Sequence, residues 1–241
     1  MALLDEIRRY WDADAPTYDL SPRHRPRDPV VLATWTAALE RLLPPAPARV
    51  LDCGAGTGFL TLIAARLGHR VTALDLSTAM LDRLRTAADA AQLDVEIVVG
   101  SADEPPTGFD AIMQRHLLWT LPDPGRALVT WRAAADRLVL LESLWGAADP
   151  AARGRGRARH WLEGWRDPQP EHHAEYSPTV RRSLPLGTGT PPAQLIDLAA
   201  AAGWSGLRIE RLRDIEWAER QGLPMPERLL GVTPRVAVVA G

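Results

Sequence analysis

The sequence predicts a doubly wound α/β fold, and three observations carry that prediction. Short apolar runs alternate with amphipathic helical patterns at intervals of roughly 20–25 residues, the rhythm of right-handed βαβ units around a parallel sheet. The first apolar run is followed at once by a glycine cluster, Gly54-Ala55-Gly56-Thr57-Gly58. The next run reaches an acid, Asp75. Glycines and an acid at successive strand ends suit a sheet that binds a nucleoside outside its carboxyl edge.

The elements follow in order. Leu3, Leu4, Ile7 and Trp11 recur at helical spacing, and Pro16 is expected to end that helix. The Pro/Arg stretch 22–29 is a connector. Val30 to Leu43 reads as a second amphipathic helix, stopped by Pro44-Pro45-Ala46-Pro47. Strands are expected at 49–53, 71–76, 95–99, 109–113 and 137–141. Between them, helices are expected from Phe59 to Leu67, closed by Gly68, from an N-capping Ser77 to Ala91, and over 123–135. Residues 146–190 break the rhythm with Arg, Pro, His and Trp and read as an insertion after strand five. A helix at 191–202 and strands at 207–212 and 235–240 resume it and complete a seven-stranded, mainly parallel sheet.

Composition removes several functions. The chain has 241 residues, 28 basic and 30 acidic side chains and a net charge of −2; every basic residue is Arg, and Lys and Asn are absent. A P-loop needs its phosphate-reaching Lys, and Schiff-base or pyridoxal-phosphate chemistry needs a Lys amine, so these are excluded. The Lys deficit itself reads as genome composition. Near-zero net charge argues against general binding of nucleic acid or acidic membranes. The single cysteine, Cys53, excludes an internal disulfide and a multi-Cys zinc site, and reads as a small buried residue. No run of 18 uncharged apolar residues occurs, and the acidic opening Met1-Ala2-Leu3-Leu4-Asp5-Glu6 has no signal-peptide core. A cytoplasmic protein is expected. Nine of its aromatic residues are Trp, against three Tyr and two Phe, and Trp is common where flat groups bind.

The glycine loop is the most informative segment. Glycines after a first strand let backbone approach a ligand, and the following helix N-terminus is expected to present free N–H groups. An acid where Asp75 stands, 23 residues after Asp52, accepts hydrogen bonds from ribose hydroxyls. A dinucleotide loop needs G-x-G-x-x-G; here Phe59 takes the third glycine's place and the glycines fall as G-x-G-x-G. Asp52, two residues before them, would repel a pyrophosphate and suits a ligand with a cationic end.

This spacing resembles motif I of the class I S-adenosylmethionine-dependent methyltransferases. Thr72-Ala73-Leu74-Asp75-Leu76-Ser77-Thr78-Ala79-Met80-Leu81 resembles that family's second motif. The resemblance implies that Asp75 takes the ribose and that Leu76 packs against adenine. Gly100-Ser101-Ala102-Asp103 stands where the family carries an Asp for the adenine amino group. Ser101 replaces that Asp, leaving a weaker contact or one supplied by Asp103. Phe109-Asp110-Ala111-Ile112-Met113-Gln114 is similar to the strand-four motif, and the Gly-Gly turn before strand five is replaced by Ala134-Ala135-Asp136. Tyr10-Trp11-Asp12 through Ala15-Pro16-Thr17-Tyr18-Asp19 resembles the N-terminal cap that closes over the methionine end. The resemblance covers residues 8–142 by motif and 191–240 by topology. It implies a Rossmann-like core and a cofactor site of Tyr18, Asp52, Gly54, Ala55, Gly56, Gly58, Asp75, Leu76, Met80, Ser101, Ala102, Asp103 and Gln114.

Acceptor residues are less specified. His116 follows strand four on the crevice side and reads either as a general base or as a His that hydrogen-bonds the loop. Glu142 ends strand five and reads as an orienting group, a base, or a solvated cap. Trp119 and Trp145 wall an acceptor or fill core space. His172, His173 and Tyr176 fit a polar lid. Adjacent histidines point apart, so no metal is expected there. Arg153, Arg155, Arg157 and Arg159 grip an anionic acceptor or form a solvated segment.

The expected organisation is a helical cap over 1–45, a cofactor-binding core over 46–145, an inserted substrate lid over 146–190 and a C-terminal completion of the sheet over 191–241. The expected function is methyl transfer from S-adenosylmethionine, by in-line displacement, to a small-molecule N, O, S or C acceptor. S-adenosylhomocysteine is the product. Size and Trp content are similar to bacterial secondary-metabolite methyltransferases, with quinone-ring C-methyltransferases a near variant. A monomer or homodimer is expected, with no nucleic acid or membrane as partner. Two other classes stay open: a nicotinamide-dependent oxidoreductase, and an S-adenosylmethionine-binding cyclase or regulator without methyl transfer.

Overall fold

The computed structural model describes residues 2–144, 154, 176 and 178–241. Seven strands form one sheet: β1 Arg49–Cys53, β2 Arg70–Asp75, β3 Val95–Val99, β4 Phe109–Arg115, β5 Ala135–Ser143, β6 Arg208–Arg211 and β7 Arg235–Ala240. Their order is β3-β2-β1-β4-β5-β7-β6. The first five are parallel, and β7 runs antiparallel to β5 and to β6. This is the α/β sheet that the sequence predicts.

Period-two alternation buries both faces of the sheet. Val50, Ala111, Met113, Val139, Leu141, Ala237 and Val239 enter one core cluster, with Trp35 and Leu39 of α2 (Pro29–Leu42) and Phe59, Leu60 and Ile63 of α3 (Phe59–Arg66). The intervening residues Leu51, Ile112, Leu138, Leu140 and Val238 enter another, with Leu128 and Trp131 of α5 (Pro124–Ala134) and Leu195 and Ala199 of α7 (Pro192–Ala201). A smaller cluster packs Leu81, Leu84 and Ala88 of α4 (Thr78–Ala90) on Ala73.

Helix starts follow their caps. The Asp28 carboxylate accepts from the Val30 and Val31 N–H groups at 2.8 and 3.1 Å, with Pro29 in the first turn, where its missing N–H costs nothing. Ser77 Oγ accepts from the Met80 N–H at 3.1 Å and starts α4.

Three expectations are corrected. Helix α1 (Ala2–Tyr18) runs through Pro16, which lies in its last turn, where the lost N–H removes one bond only. Of the expected cap over 1–45, α2 is a core helix: Trp35, Ala38, Leu39 and Leu42 are fully buried against the sheet. Strands β4 and β5 run two residues past their expected ends, because Gln114, Arg115, Glu142 and Ser143 continue the ladder while carrying polar side chains. Helices α8 (Arg213–Gln221) and α9 (Met225–Leu230) have no counterpart in the sequence reading.

Part of the 146–190 stretch is described. Tyr176, with Val180 and Leu184 from and just after α6 (Pro178–Ser183), packs against Ile7 of α1. Trp145, His172, His173 and Arg153, Arg155, Arg157 and Arg159 lie outside the described residues. Among the described residues no helix is long and apolar enough to cross a membrane.

Candidate cofactor and active site

Strand order reverses between β1 and β4, and a cavity opens there, outside the carboxyl ends of the parallel strands. It has two lobes. The larger, about 730 Å³ and open to solvent, is lined by Leu74, Asp75, Leu76 and Met80 from β2–α4, Gly100, Ser101 and Ala102 after β3, and Leu117, Thr120 and Leu121 after β4. Leu4, Ile7 and Trp11 of α1 cover it. The smaller, about 320 Å³, is lined by Asp52, Ala55, Thr57, Phe59 and Leu60. Tyr18, Gly54, Gly56 and Arg115 line both.

The glycine loop spends its amides inside the protein. Gly54 and Ala55 donate to the Leu74 carbonyl at 2.8 and 3.0 Å, and Gly58 donates to the Ala55 carbonyl at 2.9 Å. The Gly56 N–H donates to Asp75 Oδ2 at 2.8 Å, and Asp75 Oδ1 accepts from the Ser77 N–H at 2.8 Å. The amides of Gly54, Ala55, Gly56 and Gly58 are therefore engaged; the free N–H groups are expected one step later, at the start of α3. Each Asp75 oxygen still has a lone pair for a ligand hydroxyl. Burial raises the Asp75 pKa, against the backbone bonds that lower it. Gly56 has φ +55 and nothing within 4 Å of where a Cβ would stand, so that side of the loop is open.

Helix α1 is pinned over the cavity by two acids. Asp12 Oδ1 accepts from Ser77 Oγ at 2.6 Å and from the Ala79 N–H at 3.3 Å, tying α1 to the start of α4. Asp19 Oδ1 accepts from Thr57 Oγ1 at 2.6 Å, tying the end of α1 to the glycine loop, and Asp19 also pairs with Arg25 at 2.8 Å. These two acids lie in the Tyr10–Asp19 segment singled out from sequence but were not among its site residues.

Behind the cavity, strand ends β4 and β5 carry a polar chain. Gln114 Nε2 donates to Glu142 Oε1 at 3.0 Å, and Gln114 Oε1 accepts from the Leu117 N–H at 2.7 Å. His116 Nδ1 lies 3.9 Å from Glu142 Oε2, and His116 Nε2 lies 3.3 Å from Ser143 Oγ. Arg235 Nη1 donates to that same Ser143 oxygen at 2.9 Å. The His116 side chain is 30% exposed and lines the larger lobe, whereas Glu142 is fully buried behind it. Burial, with Arg115 and Arg235 nearby, holds the His116 pKa well below 6.5, so the ring is neutral at ordinary pH. His116 also has φ +60, a left-handed backbone that turns the chain at the end of β4.

Burial raises Glu142 from 4.5 to about 8. The unfolded chain releases this proton near 4.5 and the native state keeps it to about 8. The native state therefore binds the extra proton across that window and loses stability as pH rises through it, by at most roughly 1.4 kcal/mol per pH unit. Glu142→Gln keeps the oxygen that Gln114 bonds and removes the titration. From pH 5.5 to 8 the wild-type melting temperature should fall further than that of the variant; parallel curves would contradict a protonated Glu142.

Of the cofactor residues expected from sequence, Tyr18, Asp52, Gly54, Ala55, Gly56, Asp75, Leu76, Met80, Ser101 and Ala102 line the cavity. Gly58, Asp103 and Gln114 do not. Gly58 faces Leu84, Gln114 faces Glu142, and the Asp103 N–H donates to Ser101 Oγ at 3.3 Å. Among the expected acceptor residues, Trp119 and Tyr176 stack edge to face at 5.4 Å beside the α1 cover. Trp145, His172 and His173 fall outside the described residues, among which no cluster of His, Cys, Asp or Glu suits a metal. A cover from the N-terminal helix was expected; missed as site residues were its Leu4, Ile7 and Trp11, together with Leu117 and Arg115.

Comparison with known proteins meets this geometry. Residues 51–135 match the family model described as a methyltransferase domain. The likeness over this segment is to a methyltransferase domain. A ubiquinone biosynthesis O-methyltransferase from Xanthomonas axonopodis pv. citri (strain 306) is 41% identical over 120 residues, 48% of this chain and 47% of the relative. The Xanthomonas campestris pv. campestris (strain B100) protein of the same name is 40% identical over 134 residues, 54% of this chain and 52% of its own. The chain spans about half the length of the curated relatives it matches. The structure titled DhpI-SAM-HEP complex superposes with TM-score 0.59 at 23% identity, over 99% of this chain and 97% of that one. A Haemonchus contortus phosphoethanolamine N-methyltransferase 2 in complex with S-adenosyl-L-methionine gives 0.62 at 16% identity, over 100% of this chain and 60% of that one. The [4+2]-cyclase SpnF gives 0.57 at 16% identity, covering 85% of this chain and 78% of its own. These likenesses show the fold of the methyltransferase domain.

Proposed function

We propose that this protein transfers a methyl group from S-adenosylmethionine to a small-molecule acceptor. The observation that carries the proposal is the glycine loop turned onto Asp75 beside an open, apolar-walled cavity. Asp75 keeps acceptor capacity for two ribose hydroxyls, Leu76, Met80 and Leu117 give flat apolar walls for a purine, and Phe59 stands where a dinucleotide loop needs its third glycine. The last point disfavours a nicotinamide dinucleotide.

When bound, the cofactor supplies a sulfonium methyl that is already electrophilic, and the acceptor's N, O, S or C attacks it in line. The chain's own residues position and dry the site. Leu4, Ile7 and Trp11 exclude water from above. His116 takes the acceptor's proton where the acceptor must lose one: it is neutral, lines the cavity, and its Nε2 exchanges a long 3.3 Å Ser143 contact for the acceptor. Glu142, protonated behind it, orients the ring rather than meeting substrate. The names of the Xanthomonas relatives, O-methyltransferases, favour an oxygen acceptor over a ring carbon.

The test is incubation with methyl-labelled S-adenosylmethionine and cell extract, following the label by mass spectrometry. A labelled small molecule supports the reading. Tight cofactor binding without any transfer would favour a non-transferring role, as in the cyclase that shares the fold. With the acceptor in hand, His116→Ala should lower kcat by roughly 10²-fold or more with cofactor affinity intact; wild-type turnover removes His116 as base.

A further inference from the structure

Arg235 is a buried cation that does not line the cavity. It opens β7 directly opposite Ser143 of β5, with its guanidinium carbon 5.7 Å from the centre of the Trp35 ring. Two acids of α8 hold it. Glu219 takes the Nε and Nη2 edge as a fork, at 3.0 and 2.8 Å, and Glu216 accepts from the Arg235 backbone N–H at 2.9 Å. A buried ion pair is a poor source of stability, because taking both charges out of water offsets most of their attraction. An apolar pair of similar volume would hold the fold as well. The remaining nitrogen, Nη1, points out of the pair and donates to Ser143 Oγ at 2.9 Å.

Ser143 Oγ in turn lies 3.3 Å from His116 Nε2. Among the described residues Ser143 is the one side chain within hydrogen-bond distance of that ring, since Glu142 Oε2 stands 3.9 Å from Nδ1. The Ser143 contact therefore weighs most on which ring nitrogen carries the proton. A cationic donor on one lone pair draws charge from the oxygen. That makes the oxygen a weaker acceptor and its hydroxyl a stronger donor toward Nε2. The charged and titratable groups around the ring are Arg115 on β4, Glu142 on β5, Arg235 on β7 and His24 after α1. The two arginines and His24 oppose a positive charge on the ring, and Glu142, protonated up to about pH 8, does not attract one.

We propose that Arg235 is a positioning residue: acting through Ser143 Oγ, it keeps His116 Nε2 unprotonated until an acceptor takes the place of the serine. The inference rests on the reading of His116 as the base and adds what makes the ring ready for that role. The nitrogen that Ser143 releases is the one that receives the acceptor's proton. As the methyl moves to the acceptor the ring becomes an imidazolium, and it returns the proton to water once product leaves.

Long-range proton–nitrogen NMR of the nitrogen-labelled protein reads the protonation of each imidazole nitrogen, with His116→Gln assigning one signal among the six histidines. The wild-type ring should be neutral at pH 6.5, with the Nδ1–H form favoured by about 10-fold or more. Ser143→Ala should bring the two neutral forms within about 3-fold, and Ser143→Thr, which keeps the hydroxyl, should restore the preference. Arg235→Met combined with Glu219→Leu exchanges the buried pair for an apolar one and keeps Ser143. It should weaken the preference and raise the pH at which the ring titrates, because a nearby cation is gone. A wild-type ring with its proton on Nε2 overturns the proposal without any variant having to fold. An Nδ1–H preference unchanged in either Ser143→Ala or the paired variant overturns it as well. No spectrum needs cofactor or acceptor, so a failure of methyl transfer and a failure of this relay are read apart.

Discussion

Asp75→Ala should weaken S-adenosylhomocysteine binding by about 100-fold, roughly 2.8 kcal/mol. Two losses combine. The ligand loses the acceptor for its ribose hydroxyls, and charge-assisted bonds of that kind are worth roughly 1.5–3 kcal/mol. The protein also loses the bonds that fold the loop onto the strand end, because Asp75 Oδ2 holds the Gly56 N–H and Oδ1 holds the Ser77 N–H. Those two donors are left without a partner, so the variant also melts lower and its binding must be measured well below that temperature. Asp75→Asn, which keeps one acceptor oxygen, should fall between. Calorimetry reads all three proteins, and an affinity unchanged in Asp75→Ala would remove Asp75 from the site.

Gly58→Ala should destabilise the fold by roughly 2–4 kcal/mol and leave cofactor affinity within about 3-fold. Gly58 has φ +88, and a Cβ there would stand 2.1 Å from Leu84 Cδ1 in the α4 cluster. Left-handed strain and overpacking each cost roughly 1–3 kcal/mol, and the flexible end of Leu84 absorbs part of the second. At this chain length the melting temperature should drop by roughly 5–15 °C. The sequence pattern placed Gly58 with the cofactor residues; its neighbour in the fold is a leucine. Lost binding with an unchanged melting temperature would return it to the cofactor site.

The contrast between Asp75 and Gly58 shows what was legible. Strands β1, β3 and β7 have the bounds read from sequence, because each is an apolar run stopped by Gly, Pro or polar residues. Strands β4 and β5 were read short, since polar residues at a strand's carboxyl end look like loop while their backbone still pairs. Helix α8 escaped because only Ile215 and Ala218 of its nine residues are buried and the rest is mostly charged. In the site, acids and glycines announced themselves by position after a strand. Arg115 did not, although the same period of two that sends Ala111 and Met113 to the Trp35 face sends Arg115 there too. Gln114, one residue earlier, faces the opposite way, toward Glu142. The pinning acids Asp12 and Asp19 depend on where α1 lands against α4 and the glycine loop, a tertiary contact that no local pattern encodes.

The cofactor site is tested most directly by the melting temperature of the wild-type protein with S-adenosylhomocysteine. A ligand that binds only the native state at about 100 times its Kd adds roughly 2.7 kcal/mol, which at this chain length raises the melting temperature by roughly 5–10 °C. Micromolar ligand should already shift it. An unchanged melting temperature at millimolar S-adenosylhomocysteine would contradict the assignment of the β1–β4 cavity to that cofactor.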